Sequence, residues 1–313
     1  MMQLGVIDIG GTSIKYGVVD GHGTIIHHTS IPTEASKGGR TVVEKVYRIC
    51  DRLMEEQDLA GIAISSAGQI DSVKGEVVFA TDNIPGYSGT PLAELVANHT
   101  GLPVTVENDV NCTALGEYWQ GAAKGFNHFL CVTIGTGIGG ALVLDGKLYT
   151  GAHFSAGEIG HINLYPNGKP CTCGNRGCYE KYASSSALSE LVEHEFGVEM
   201  SLRHFFELAK AGEAKAVMLF KHWVEDVTTG LQSLVHIFNP ELIVIGGGIS
   251  AQGDFLRDAI QSSLDKKIMP NHRKSLQIKL AQHDNKANLL GAAKHFYRDI
   301  NRGMKRKDEA FTG

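Results

Sequence analysis

Two glycine-rich turns occupy matching places in the two halves of this chain of 313 residues. The first is Asp8-Ile9-Gly10-Gly11-Thr12, and the second runs from Thr133 to Gly140. Each lies between two short apolar runs, which predicts a strand, a tight turn and a second strand. Consecutive backbone N–H groups in such turns bind anions, above all phosphates, while Asp8 could hold a metal ion through water. The alternative is a pair of ordinary hairpins whose glycines only satisfy a positive φ.

The cysteines divide into three isolated residues and one cluster. Cys171, Cys173 and Cys178 lie close together, and His161 precedes them. Three thiolates and one imidazole form a Cys₃His set for a closed, structural, tetrahedral Zn²⁺ site. The Cys-x-Cys spacing is tighter than that of common zinc ribbons. A redox pair is the competing interpretation, although it leaves His161 and one cysteine without a role.

The acidic segment Glu107-Asn108-Asp109 follows an apolar strand. The carboxyl edge of an open α/β sheet is where such folds bind ligands. A carboxylate there can accept a proton from a substrate hydroxyl, and a neighbouring amide can fix a substrate oxygen. The alternative role of Asp109 is to cap the helix that follows, and the two roles are compatible.

Three further features carry possible chemistry. Glu158 and Glu180 flank the Cys/His cluster, and carboxylates beside an imidazole suit charge-assisted hydrogen bonds to vicinal sugar hydroxyls. Alone, Glu180 would be a solvated acid at a helix start. The segment from Ile245 to Ser250, with Gly247 and Gly248, follows a strand and opens a helix, so that its glycine backbone could approach a nucleotide. Close packing would explain those glycines equally well.

Composition limits the class of protein. Hydrophobic residues make up 42% and charged residues 20% of the chain, which is typical of a soluble globular protein, and the net charge of −5 gives no positive field for nucleic acid or an anionic membrane. We therefore expect a small-molecule substrate. The start has neither a signal peptide nor a membrane span, which predicts a cytoplasmic protein. The final segment contains the basic residues Arg302, Lys305, Arg306 and Lys307 and is expected to be solvated or disordered.

The order of elements repeats. Each half reads as three strands, a helix, a strand, a helix and a strand, which predicts two similar α/β halves of an ATP-binding fold. The expected N-terminal domain covers residues 1–118 and is joined by a C-terminal helix at about 287–300. The expected C-terminal domain covers 119–286 and includes the zinc-binding insertion, and 301–313 form the tail.

Together the two glycine-rich turns, Glu107-Asn108-Asp109, Glu158-Ile159-Gly160-His161 and the run from Cys171 to Glu180 resemble the ROK (repressor, open reading frame, kinase) family. The resemblance extends from about residue 4 to 298. It implies an actin-like, hexokinase-type, ribonuclease H-like fold of two domains with a cleft for ATP and Mg²⁺. Because the expected sugar ligands come from both halves of the sequence, we expect sugar binding to close this cleft. The resemblance also implies a homodimer and a kinase that transfers the γ-phosphoryl group of ATP, with Mg²⁺, to a sugar 6-hydroxyl.

By this resemblance Asp109 is the general base. Asn83, Asn108, Glu158, His161 and Glu180 hold the sugar, and His161 also binds zinc. The residues implied in binding ATP are Asp8, Gly10, Gly11, Thr12, Lys15, Thr133, Gly135, Thr136, Gly137, Gly247 and Gly248.

One departure bears on the substrate. Ser65-Ser66-Ala67-Gly68 stands where many sugar kinases of the family carry proline before the glycine, and together with Asn83 to Tyr87 it looks more like the N-acetylmannosamine and β-glucoside kinase branches. Glucose, N-acetylmannosamine and a β-glucoside therefore remain candidates. Repressors of the family carry a winged helix before the sugar domain, and the first turn begins here at residue 8, so we expect a kinase. A non-catalytic sugar-binding regulator is the alternative.

Overall fold

The computed structural model describes residues 2–283 and 286–311, with side chains described as far as residue 299. The chain divides into two compact units. Unit 1 contains residues 1–124, 150–156 and 285–313, and unit 2 contains residues 125–149 and 157–284. Residues 150–156 cluster with unit 1, although the sequence-based division places them in the C-terminal domain.

Unit 1 is built on a five-stranded sheet with the order β3-β2-β1-β4-β7. The first three strands are antiparallel, and β4 and β7 run parallel to β1. A two-stranded hairpin, β5-β6, stands apart from this sheet. The strands are β1 (Gln3–Ile9), β2 (Ser13–Asp20), β3 (Ile25–Pro32), β4 (Ile62–Ser66), β5 (Gln69–Asp71), β6 (Glu76–Phe79) and β7 (Val104–Asn108). The helices are α1 (Gly39–Glu56), α2 (Leu92–Thr100), α3 (Asp109–Gln120) and α10 (Ala287–Phe311).

Unit 2 has a sheet of the same plan, with the order β10-β9-β8-β11-β12. Strand β9 is antiparallel to both β8 and β10. Strand β11 runs parallel to β8, and β12 runs parallel to β11. Its strands are β8 (Phe129–Ile134), β9 (Ile138–Leu144), β10 (Lys147–Tyr149), β11 (Leu242–Gly246) and β12 (Gln277–Leu280). Its helices are α4 (Glu180–Ala183), α5 (Ser185–Phe196), α6 (Leu202–Lys210), α7 (Ala214–Phe238), α8 (Asp254–Leu264) and α9 (Pro270–Arg273). The repeat predicted from the sequence is confirmed.

Apolar periodicity explains how the helices of unit 1 cover its sheet. Val42, Val46, Ile49 and Leu53 form the stripe of α1 and are buried in one core cluster with strands β1, β2 and β4. A second cluster joins α10 to β1 through Leu290, Phe296 and their neighbours. The two faces of the sheet are thus both packed, as its buried parallel strands require.

The C-terminal segment continues α10 to Phe311. The side chains of residues 300–313 lie outside the described part, so the expectation for the tail stays a prediction. Among the described residues, no helix combines the length and the apolar character needed to cross a bilayer.

Candidate active site

A row of polar side chains crosses the carboxyl edge of the unit 1 sheet. Strand register pairs Asp8 of β1 with Lys15 of β2 on one side and with Ser65 of β4 on the other, and Ser65 in turn pairs with Glu107 of β7. Directly paired residues point to the same face of a sheet. The register therefore brings residues that are far apart in sequence into one row.

Asp8 is a buried carboxylate, 2% exposed, and its hydrogen bonds hold it in one orientation. Its Oδ1 accepts from Ser65 Oγ at 2.8 Å and from Asn288 Nδ2 at 3.0 Å. Its Oδ2 accepts from Lys15 Nζ at 3.2 Å. A buried charge needs such partners, and Lys15 supplies the opposite charge.

Asp109 is the first residue of α3. Its Oδ1 accepts from the Val110 N–H and from Asn108 Nδ2, both at 2.9 Å. Burial raises the pKa of the Asp109 carboxyl to about 7, and the neighbouring Asp8 carboxylate adds to the rise. A pKa near neutrality suits a general base. The cap of α3 is Asn108, not Asp109, because Asn108 Oδ1 accepts from Val110 and Asn111 N–H at 2.9 and 3.1 Å.

The amide of Asn108 is fully used within unit 1. Its Nδ2 also donates to Gly68 O at 2.9 Å, so that two donor and two acceptor positions are taken. In this arrangement Asn108 orients Asp109 and the Gly68 loop. Its predicted contact with a sugar stays a prediction.

The glycine-rich turn of unit 1 closes the β1–β2 hairpin, in which Gly10 N–H donates to Ser13 O at 3.1 Å. Neither Gly10 nor Gly11 has a positive φ. A Cβ at Gly11 would meet no atom within 4 Å. Backbone conformation and packing therefore do not explain Gly11, whereas close approach of a ligand to the Gly11 and Thr12 backbone would.

The corresponding turn of unit 2 joins β8 to β9. Gly135 N–H donates to Gly137 O at 2.9 Å, and Thr133 Oγ1 lies 3.5 Å from Gly139 O. Neither Gly135 nor Gly137 has a positive φ. A Cβ at Gly135 would be free of contacts, whereas one at Gly137 would lie 2.4 Å from Glu180 Oε2. The alternative that these glycines serve only a positive φ is wrong for both turns.

The second glycine segment of unit 2 lies beside that turn. Gly247 has a φ of +83°, and a Cβ there would lie 2.4 Å from Ile134 O, so close packing explains this residue. A Cβ at Gly248 would meet no atom within 4 Å. The sequence predicted that this segment opens a helix directly, but a short 3₁₀ turn, Gly248–Gln252, comes before α8.

The Cys/His cluster is assembled as predicted. One ligand atom from each of His161, Cys171, Cys173 and Cys178 lies within 4.8 Å of the others. The Cys173 and Cys178 sulfurs are 3.5 Å apart, and the Cys171 sulfur is 3.7 Å from His161 Nδ1. Zinc bonds of about 2.0–2.3 Å in a tetrahedron would place ligand atoms at about these separations. The donor set and its geometry therefore fit a zinc ion.

The loop around the cluster is shaped by its backbone. Cys171 N–H donates to Asn175 O at 2.8 Å, and Leu164 N–H donates to Gly177 O, also at 2.8 Å. Gly177 has a φ of +78°, and a Cβ there would lie 1.8 Å from Tyr165 O. Only glycine fits at this crossing of two backbone segments.

Glu180 links the cluster to the glycine turn of unit 2. Its Oε2 accepts from Ile138 N–H at 3.2 Å, and its Oε1 lies 3.9 Å from the Cys171 sulfur. It is therefore not a solvated acid at a helix start. Glu158 is exposed and directly precedes the 3₁₀ turn that carries His161.

Asn83 is exposed in a turn of unit 1 whose far end is anchored. The anchor is Tyr87, which is fully buried and whose hydroxyl lies 2.9 Å from Ser66 Oγ. Pro85 O accepts from Gly39 N–H at 2.8 Å. The two serines that precede Ala67, the residue where many relatives carry proline, thus have contacts of their own, Ser65 with Asp8 and Ser66 with Tyr87.

Comparison with known proteins identifies the family. The sequence profile of the ROK family matches residues 4–298. The chain belongs to the ROK family. It is 33% identical to a β-glucoside kinase from Listeria monocytogenes over 96% of this chain and 99% of that protein.

Two solved structures of the family are also similar. One is a ROK family glucokinase from Streptomyces griseus in complex with glucose and AMPPNP, with a TM-score of 0.80, 33% identity and coverage of 93% and 98% of the two chains. The other is a ROK hexokinase from Thermus thermophilus, with a TM-score of 0.83, 32% identity and coverage of 96% and 100%. The actin-like two-domain fold expected from the sequence is confirmed.

Proposed function

We propose that this ROK protein is an ATP-dependent sugar kinase that transfers the γ-phosphoryl group to the 6-hydroxyl of a hexose or hexose derivative. The observation that carries the proposal is the arrangement of two carboxylates, an oriented Asp8 and an Asp109 with a pKa near 7, at one sheet edge. Similarity to a glucokinase that binds glucose and AMPPNP, an ATP analogue, supports it. Glucose, N-acetylmannosamine and a β-glucoside are the candidate acceptors.

In the proposed reaction Asp109 accepts the proton of the sugar 6-hydroxyl. The freed oxygen attacks the γ-phosphorus, the bond from that phosphorus to the bridging oxygen breaks, and ADP leaves. Asn108 holds Asp109 through its 2.9 Å hydrogen bond. When bound, Mg²⁺ would neutralise charge on the phosphates, and Asp8 would hold it through water.

We assign the nucleotide phosphates to the open glycine backbone of the turns at Gly10 to Thr12 and at Gly135 to Gly137. Because Gly10 N–H is already bonded to Ser13 O and Gly135 N–H to Gly137 O, the neighbouring N–H groups of Gly11, Thr12 and Thr136 are the better candidates for phosphate contacts. Gly248 is assigned to the adenosine, and Gly247 supports it by packing.

We assign the Cys/His cluster to one structural Zn²⁺. His161 Nδ1 faces the thiols, so the proposed sugar contact falls to Nε2 of the same ring. Glu158 and Glu180 would accept hydrogen bonds from sugar hydroxyls. Zinc would then fix the loop that presents these three side chains.

The pH dependence of kcat/KM follows from Asp109. The base acts as a carboxylate, and its pKa is raised to about 7 by burial and by Asp8. The value of kcat/KM for the sugar is therefore expected to fall as pH drops below about 7, by about tenfold for each pH unit. A profile of kcat/KM between about pH 5 and 9 checks this, because kcat/KM reports the pKa of the unliganded enzyme. A profile that stays flat to pH 5 would contradict the assignment.

Tyr87→Phe tests the anchor of the turn that carries Asn83, one of the residues that the family resemblance assigns to the sugar. The change removes the hydroxyl that lies 2.9 Å from Ser66 Oγ and keeps the buried ring. Loss of one neutral hydrogen bond predicts a rise of about two- to tenfold in the sugar KM, with kcat within about twofold. Initial rates over a range of sugar concentrations separate the two. A fall in kcat at unchanged KM would place Tyr87 in another role.

A coupled ADP-release assay with and without sugar tests the proposed function. The panel is glucose, N-acetylmannosamine, methyl β-glucoside and cellobiose, with ATP and Mg²⁺ present. We expect release that depends on at least one sugar. If a sugar binds by calorimetry and none stimulates ADP release, the protein is the non-catalytic regulator instead. The homodimer implied by the resemblance stays a prediction.

A further inference from the structure

A side chain from the far end of the sequence reaches the polar row of unit 1. Asn288, in the first turn of α10, donates from Nδ2 to Asp8 Oδ1 at 3.0 Å. Its Oδ1 accepts from Thr113 Oγ1 at 2.5 Å. Thr113 lies one turn after Asp109 on α3, and its single hydroxyl hydrogen can donate either to Asn288 Oδ1 or to the Asp109 carbonyl oxygen, 3.0 Å away. When it donates to Asn288, two hydrogen bonds connect Asp8 through Asn288 with the helix that carries Asp109.

Close packing of α3 against α10 fixes this connection. A Cβ at Gly291 would lie 1.7 Å from Cys112 O, and one at Gly116 would lie 2.2 Å from Ala287 O. The two helix backbones touch at both glycines, so α10 cannot slide along α3 without a clash. Asn288 and Thr113 belong to the same contact zone, and their relative position is set by that packing.

The other two partners of Asp8 come from neighbouring strands, because Lys15 and Ser65 are its register partners. Asn288 comes instead from α10, and it contacts Asp8 and the α3 residue Thr113 at once. Its amide donor and amide acceptor face two different groups, as a bridging role requires.

We propose that Asn288 is a positioning residue that holds the Asp8 carboxylate and the start of α3 in one fixed arrangement. Asp8 and Asp109 thereby keep the relative position that the reaction requires. The proposal rests on the proposed kinase function. A hydrogen bond to a charged group is among the stronger side-chain contacts. Its loss would leave Asp8 Oδ1 with one of its two hydrogen bonds described here, that from Ser65, and would remove the connection through Asn288 between the carboxylate and α3.

The test uses Asn288→Leu, which keeps a similar shape without the amide, and a matched pair at the other end of the bridge, Thr113→Val and Thr113→Ser. We expect Asn288→Leu to lower kcat by about tenfold to a hundredfold with the sugar KM within twofold. Thr113→Val should lower kcat several-fold, whereas Thr113→Ser, which keeps the hydroxyl, should stay close to wild type. Far-UV circular dichroism and the melting temperature confirm that each variant is folded.

Two kinetic outcomes overturn the proposal. The first is a kcat within twofold of wild type in both Asn288→Leu and Thr113→Val. The second is an equal loss in Thr113→Ser and Thr113→Val, because helix packing rather than the hydroxyl would then be responsible.

Calorimetry of ADP with and without Mg²⁺ adds a readout that needs no sugar. Asn288→Leu is expected to reduce the gain in ADP affinity that Mg²⁺ provides by about tenfold, since Asp8 is the residue assigned to the ion. An unchanged gain overturns the proposal. If the kinase assay fails with every sugar while this gain is reduced, the proposed function fails and the role of Asn288 stands.

Discussion

Asp109→Asn is expected to lower kcat by about two orders of magnitude or more, since positioned proton acceptors contribute roughly that much to rate. The substitution keeps an oxygen that can accept from Asn108 Nδ2 and from Val110 N–H, the two contacts at 2.9 Å that orient Asp109. It removes the ability to take a proton and, above about pH 7, the negative charge of the carboxylate. Sugar and nucleotide affinities should therefore stay close to those of wild type.

The fold of this variant can be checked independently. Because the pKa of Asp109 is higher in the folded protein than in an unfolded chain, its charged form opposes folding above about pH 7 and does not below about pH 4. The unliganded Asp109→Asn protein should be as stable as wild type, or more so, at pH 8. Asp145→Asn is the matched control, because the Asp145 side chain is 85% exposed in a turn and its replacement should leave kcat unchanged. Turnover of Asp109→Asn within a few-fold of wild type would contradict the assignment.

Loss of the zinc ion from the Cys/His cluster is expected to have the second large effect. Purified protein should contain about one zinc per chain, and Cys173→Ser and Cys178→Ser should each lose most of it. The sugar KM should rise by about tenfold or more, because the loop that presents His161 and Glu180 would lose its central support. The backbone hydrogen bonds of this loop, such as Cys171 N–H to Asn175 O at 2.8 Å, should keep the rest of unit 2 folded.

Metal analysis and initial-rate kinetics measure the two effects on the same samples. Thr172→Ala is the control, since Thr172 is exposed between two of the cysteines and provides no ligand. It should keep both the zinc and the sugar affinity. Active protein that contains no metal, and whose sugar affinity does not respond to a chelator, would require the cluster to be reinterpreted as a thiol site.

Local sequence signals predicted the repeated sheets and the two glycine turns because those features depend on neighbouring residues. Apolar runs, turn glycines and the acidic end of β7 each report on their own segment. The role of Ser65 had a weaker signal, since Ser65 also stands near the end of a buried strand. Its contact with Asp8 follows only once β1 and β4 are paired in register.

The contribution of Asn288 had no signal in the sequence. It depends on how α10 packs against α3, and the glycines that set this packing, Gly116 and Gly291, are separated by most of the chain. The environments of the adjacent glycines Gly247 and Gly248 also depend on packing against a distant segment. The two glycines look equivalent in sequence, but only the structure shows that Gly247 is packed against Ile134 and that Gly248 is open.

Identification of the product tests the central claim most directly. The protein is incubated with ATP, Mg²⁺ and each candidate sugar, and the products are followed by ³¹P nuclear magnetic resonance, with 6-deoxyglucose as a sugar that lacks the acceptor hydroxyl. We predict a sugar 6-phosphate and ADP in equal amounts from at least one of the candidates, and no transfer to 6-deoxyglucose. Formation of a sugar 1-phosphate, or release of inorganic phosphate at the same rate with and without sugar, would contradict the proposed function.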